Sequence, residues 1–191
     1  MTLRTLKKKY SADPSAHQLL DVECTGGTAA SVRYYIKRDG LLILARRGTA
    51  CIGKNGAGKT GEGDAKTPLG ELRPLSAFGI KPDPGTALPY IRVAEGTIAC
   101  DCEGPFYNRI VTPSDYGSSA PEGERMWTLS PEYDYGLQTD FNSGNVYPLG
   151  SAIFVHCKGA KTWTGGCIAL DRRLMKQILK TADAGLRIVV R

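Results

Sequence analysis

Long apolar runs are what this sequence most clearly lacks. No window approaches the roughly 18 consecutive apolar residues of a membrane-crossing helix, so no membrane span is expected. The basic start at Lys7 to Lys9 leads into Asp13 and Pro14 rather than an apolar stretch. No secretory leader is therefore read in the chain as it stands, which leaves a cytoplasmic site open. Basic and aromatic residues are not interleaved, and the net charge of +6 is dispersed, with runs only at 7–9, 46–47 and 172–173. Nucleic-acid binding is not expected from such a pattern. The six cysteines include no C-x₂₋₄-C pair; Cys100-x-Cys102 and His156-Cys157 are the only near neighbours, so no metal site is expected. The pairing of Cys24, Cys51, Cys100, Cys102 and Cys157 does not follow from spacing. Repeats and low-complexity segments are also missing, and 191 residues suit a single domain, 1–191. Nothing in the sequence speaks to oligomeric state.

Glycine and proline are plentiful, at 23 and 11, and cut the chain into short pieces. Strands are expected at 31–36, 41–45, 90–94, 96–101, 152–157 and 186–190, with Asp39-Gly40 turning a hairpin between the first two. One stretch reads as a helix, 171–184, with Asp171 as its cap, Leu174, Met175, Ile178 and Leu179 on one face, and Gly185 as its stop. Some helix is also expected in 3–10. The class is mainly β, with no alternating βαβ units.

"GKNGAGKT" at 53–60 fills the G-x-x-x-x-G-K-[ST] pattern of a phosphate loop. Such a loop needs a helix after it, so that backbone N–H groups and the helix dipole face the phosphates. Gly61, Gly63 and Pro68 follow instead, and would together cost a helix about 5 kcal/mol relative to alanine. No nucleotide is therefore expected to bind, and Lys59 is read as a surface cation.

The most informative segment is "SAIFVHCKGAKTWTGGCIALDRR", 151–173. A strand-like run ends on His156, and Cys167 follows in "TGGC" just before another apolar run. Glycine before a nucleophile permits a tight turn, and it leaves backbone N–H groups of Gly166 and Cys167 free to face an oxyanion. A neighbouring imidazole can take the proton of a thiol that is otherwise barely ionised at neutral pH. On residue chemistry alone, a buried structural cysteine and a core histidine are the competing reading.

At these residues the sequence resembles the L,D-transpeptidase (YkuD-type) catalytic domains of bacteria. That family carries a histidine at a strand end, a spacer, and then Ser/Thr-His-Gly-Cys; here stand His156, a spacer, and Thr164-Gly165-Gly166-Cys167. Upstream the family has a glycine-led loop ending Thr-Pro-x-Gly, matched by Thr67-Pro68-Leu69-Gly70. "GDAKTPLG", "CDCEGPFYN", "EYDYGLQTDFN" and "GSAIFVH" follow one another in the order of one branch of the family. The resemblance covers about 50–182 and leaves 1–30 as an extra N-terminal segment. Three departures stand out: Gly165 replaces the histidine before Gly-Cys, the His-to-Cys spacer is short, and Ala169 takes the place of a common arginine.

The resemblance implies a β-sandwich with a C-terminal-region helix and a final strand. It implies a cysteine-dependent transpeptidase acting on peptidoglycan stem peptides in the cell envelope or periplasm. Cys167 would form an acyl-enzyme, His156 would be general base, and the backbone carbonyl of Cys157 would orient the imidazole. Gly166 and Cys167 would hold the oxyanion, and no cofactor is needed. Thr164, Gly165, Asp101, Tyr107 and Asn108 are the substrate-contact candidates, with Glu103 beside them. Two alternatives stand next to this: a carboxypeptidase or endopeptidase on the same scaffold, and a non-catalytic wall-binding module.

Overall fold

The computed structural model describes residues 1–191. In chain order the elements are α1 (Leu3–Ala12), β1 (Gln18–Gly26), β2 (Ala29–Arg38), β3 (Leu41–Cys51), β4 (Gly70–Leu72), β5 (Pro74–Gly79), β6 (Tyr90–Arg92), β7 (Ile98–Ala99), β8 (Ile110–Val111), α2 (Pro113–Tyr116), β9 (Glu124–Arg125), β10 (Gly136–Thr139), β11 (Phe154–Cys157), β12 (Ile168–Leu170), α3 (Arg172–Leu179) and β13 (Leu186–Val190). Ten strands form one mixed sheet in the order β4-β13-β1-β2-β3-β12-β11-β10-β5-β6, and a small sheet runs β8-β7-β9. The protein is mainly β, as its punctuation implies.

Alternation of side chains sorts the core into two layers. Leu20, Val22, Val32, Tyr34, Ile188 and Val190 face one side and pack with Leu174, Met175, Ile178 and Leu179 of α3. Leu19, Tyr35 and Val189, one position out of step, face the other side and cover Leu6 and Tyr10 of α1. Residues 18–26, placed outside the family resemblance by sequence, are an internal strand here: β1 pairs antiparallel with β2 and parallel with β13. Its first five residues are all buried, so they show no two-residue polar alternation to betray a strand.

The β2–β3 hairpin turns on Asp39 at φ +48° and Gly40 at φ +74°, the left-handed pair that a tight two-residue turn demands. Asp171 caps α3 by accepting from the N–H groups of Arg173 and Leu174 at 2.9 and 3.2 Å. The helix ends at Leu179, short of the expected 184. Thr181 and Ala182 both donate to the Ile178 carbonyl, closing the last turn. Gln18 and Tyr34 of the sheet then take the Thr181 carbonyl and hydroxyl, both at 2.8 Å, and draw the chain away before Gly185.

Two strand pairings position the functional region. β11 and β12 run parallel, with His156 beside Ala169. On the other side of β11, His156 lies opposite Gly136 of β10. Glycine is required there, because a Cβ would come within 2.2 Å of the Phe78 ring. That ring in turn packs edge-on against Tyr133 and Phe154, and so builds an apolar wall beneath His156.

Candidate active site

Cys167 sits one residue before β12, in a turn braced from the far side by the 53–70 loop. Thr164 donates its hydroxyl to the Cys167 carbonyl at 2.6 Å and accepts from the Gly166 N–H at 3.1 Å. Thr67, fully buried, accepts from the Gly53 N–H at 2.9 Å and donates to the Gly166 carbonyl at 2.7 Å. Gly166 has φ +145°, and a Cβ there would lie 2.9 Å from the Lys66 carbonyl oxygen. Only glycine lets the two loops approach this closely.

The 53–60 segment is thus a brace, with no helix after Thr60. Lys59 is the opposite of the surface cation expected from sequence: its side chain is 2% exposed and pairs with Asp64 at 2.9 Å. Asp64 also accepts from the backbone N–H groups of Thr60, Gly61 and Lys66. Burial pushes this carboxyl's pKa up. The N–H donors and the Lys59 ammonium outweigh burial and hold it well below the ordinary carboxylate range. Lys59 therefore neutralises an internal carboxylate that organises the loop, a role the motif could not reveal.

Cys167 and His156 line one cavity of about 290 Å³. His156 is held through its Nδ1, 2.7 Å from the Cys157 carbonyl oxygen. A carbonyl only accepts, so Nδ1 carries the proton and the lone pair of the neutral ring is on Nε2. Tyr133 packs edge-on against the imidazole at 5.4 Å between ring centres, and its hydroxyl donates to Glu124. Burial lowers the His156 pKa below its ordinary value, against the opposing pull of the Cys157 carbonyl. Burial pushes the Cys167 thiol up to about 12, with Glu124 adding to the rise and the Phe154 N–H opposing it. Burial thus favours the neutral form of both groups that line the cavity, thiol and imidazole.

The thiol has two backbone neighbours. It donates to the Ala152 carbonyl at 3.0 Å and accepts from the Phe154 N–H at 3.3 Å. Of the two N–H groups assigned to an oxyanion, that of Gly166 is engaged by Thr164, whereas that of Cys167 makes no hydrogen bond within the chain.

Asp101, Thr164 and Gly165 line the cavity. Tyr107, Asn108 and Glu103 do not line it. Tyr107 instead donates to Glu62 at 2.5 Å and accepts from the Gly150 N–H at 3.0 Å. Asn108 is spent on backbone groups of Phe141, Asn142 and Ala152. Carboxylates from distant segments, Glu62, Glu124 and Glu132, line the cavity with Asp101, while Lys161 is its one lining cation. Sequence reading missed the three glutamates, which share no motif: Glu62 and Glu132 lie in loops and Glu124 in β9. Trp163 completes one side, with the Lys54 and Lys161 ammonium groups 5.2 and 4.7 Å from its ring. All six cysteines are free, and among the histidines His17 lies elsewhere, paired with Asp183 at 2.9 Å.

A mixed β-sheet domain with a buried cysteine and a carbonyl-anchored histidine facing one acidic cavity is the class that fold and site define. The chain belongs to the YkuD family, the L,D-transpeptidase catalytic domain, whose model matches residues 27–190. Solved structures similar to it include Bd1075 of Bdellovibrio bacteriovorus, at 13% identity and TM-score 0.48 over 92% of this chain and 48% of that one. Another is the helical cell shape determining protein Pgp2 of Campylobacter jejuni, at 16% identity and TM-score 0.47 over 91% and 47%. The chain thus spans about half the length of these structures. No curated protein sequence matches it.

Proposed function

We propose that the protein is a cysteine-dependent L,D-transpeptidase that acts on peptidoglycan stem peptides in the cell envelope. The observation that carries this reading is the shared cavity of Cys167 and His156, with the imidazole tethered through Nδ1 so that Nε2 is free to act as base. Family membership supplies the reaction class.

In this mechanism the Cys167 thiol gives its proton to His156 Nε2, and the sulfur attacks the carbonyl carbon of an L-centre residue. The carbonyl π electrons move onto oxygen, which the Cys167 N–H stabilises. Collapse of that intermediate reforms the carbonyl and breaks the C–N bond, and the imidazolium protonates the departing amine. A second amine then attacks the thioester, loses a proton to His156, and expels the thiol. Four carboxylates around the cavity favour substrates with free amino groups, such as the diamino acid of a stem peptide. Thr164, Gly165 and Asp101 are its proposed contacts. No step calls for a cofactor.

The test is incubation of a purified stem peptide with the protein, with and without an amine acceptor, followed by mass spectrometry. A crosslinked product that disappears in Cys167→Ala is expected. Cleavage by water alone would assign a carboxypeptidase, and unchanged turnover in Cys167→Ala would reject the cysteine mechanism.

A further inference from the structure

The hydrogen-bond partner of the resting thiol is a residue under conformational restraint. Ala152 has φ +50°, a left-handed conformation that residues with a Cβ seldom adopt. Its carbonyl receives the Cys167 S–H at 3.0 Å, and its N–H donates to Asn108 Oδ1 at 3.0 Å. Asn108 Nδ2 donates to the Phe141 and Asn142 carbonyls at 3.0 and 2.8 Å, so both ends of this amide are engaged with backbone. The neighbouring turn is pinned in the same way, with the Gly150 N–H on the Tyr107 hydroxyl.

We infer that Asn108 is a positioning residue for the nucleophile: it holds Ala152 left-handed, and so fixes the carbonyl on which the Cys167 S–H rests. The inference rests on Cys167 being the nucleophile. A hydrogen bond to the protonated form favours that form. The lock therefore keeps the thiol protonated until the S–H turns from the Ala152 oxygen to His156 Nε2. In that step the S–H bond breaks, the proton passes to Nε2, and the electron pair stays on sulfur beside the Phe154 N–H. The groups that face this thiol or share its cavity are His156, Tyr133, Glu62, Asp101, Glu124, Glu132, Lys161 and, through the brace loop, Lys59.

The test follows alkylation of Cys167 by iodoacetamide across the alkaline range, located by peptide mass spectrometry, in parallel with stem-peptide turnover. In Asn108→Ala the Ala152 carbonyl is free to turn away. The alkylation midpoint is expected to fall by about one pH unit, a tenfold gain in thiolate at a given pH below it. Turnover is expected to fall in kcat with KM unchanged. Adding Ala152→Gly, which removes the cost of the left-handed conformation, is expected to return the midpoint to the wild-type value. Asn108→Ser, whose shorter hydroxyl cannot reach the Ala152 N–H and both carbonyls together, is expected to lower the midpoint in the same direction; it also serves if the alanine variant does not fold. Coincident profiles for wild type and Asn108→Ala, an unchanged midpoint in Asn108→Ser, or a change confined to KM overturns the inference. Alkylation requires no turnover, so failure of the catalytic reading in Cys167→Ala is separable from failure of this one.

Discussion

The hydroxyl of Thr67 donates to the carbonyl of Gly166 at 2.7 Å, joining two loops that lie far apart in sequence. The same oxygen accepts from the Gly53 N–H, so one buried side chain satisfies a donor and an acceptor at once. Thr67→Val keeps the shape and removes both bonds. A loss of about 1–3 kcal/mol is expected, the cost of leaving buried polar groups unpaired. Urea unfolding measures it, and turnover is expected to drop with it because the Gly166 turn carries Cys167.

The Lys59–Asp64 pair is a second joint in that brace. Removing one partner of a buried pair strands the other, and Lys59→Met is expected to cost about 3 kcal/mol. The Asp64 pKa is depressed in the folded state, so its contribution is complete above the ordinary carboxylate value of 3.8 and is lost as pH falls through the lower folded value. Asp64→Asn is therefore expected to be less stable than wild type at neutral pH and to show a shallower loss in acid. Melting curves across the acid range read both effects, and a curve in Asp64→Asn parallel to wild type would contradict the assignment.

Adjacent glycines before the cysteine are predicted to behave differently. Gly166→Ala meets the Lys66 carbonyl and the Ile153 side chain in a conformation alanine resists, and is expected to cost at least about 2 kcal/mol and most of the activity. At Gly165 a Cβ meets nothing within 4 Å. Gly165→Ala is expected to leave the melting temperature unchanged, and calorimetry on the two variants checks the contrast.

The two groups proposed as reactive set the expected pH dependence. Burial raises the Cys167 thiol to about 12 and lowers the His156 imidazole below its ordinary 6.5. His156 folded neutral contributes stability that is complete above 6.5 and is lost as pH falls below it toward the lowered folded value. Cys167 alkylation is expected to climb continuously into the alkaline range, without the neutral plateau of a thiolate–imidazolium pair. A plateau near neutral pH would show the resting pair to be ionised.

The local features of the candidate site are legible in the sequence. His156 at a strand end, Cys167 after two glycines, and the failed helix after Thr60 each rest on local chemistry that a short window displays. Tyr107 and Asn108 were singled out as substrate contacts, whereas in the fold their polar atoms bond within the protein; a polar side chain in a loop looks the same in sequence whether it meets substrate or backbone. The acidic lining was hidden for a related reason, as Glu62, Glu124 and Glu132 come from segments that only the fold brings together.

The sequence by itself determined the β-rich class, the hairpin at Asp39-Gly40 and the cap at Asp171, and it singled out Cys167 and His156 as the candidate pair, since turn geometry, capping and thiol chemistry are properties of a few neighbouring residues. Tertiary structure alone decided that β1 is an internal strand, that Lys59 is buried against Asp64, and that the Cys167 thiol rests on a restrained carbonyl. Those features depend on which distant groups share a water-poor interior, where hydrogen bonds and charge pairs strengthen and an unpaired group is costly.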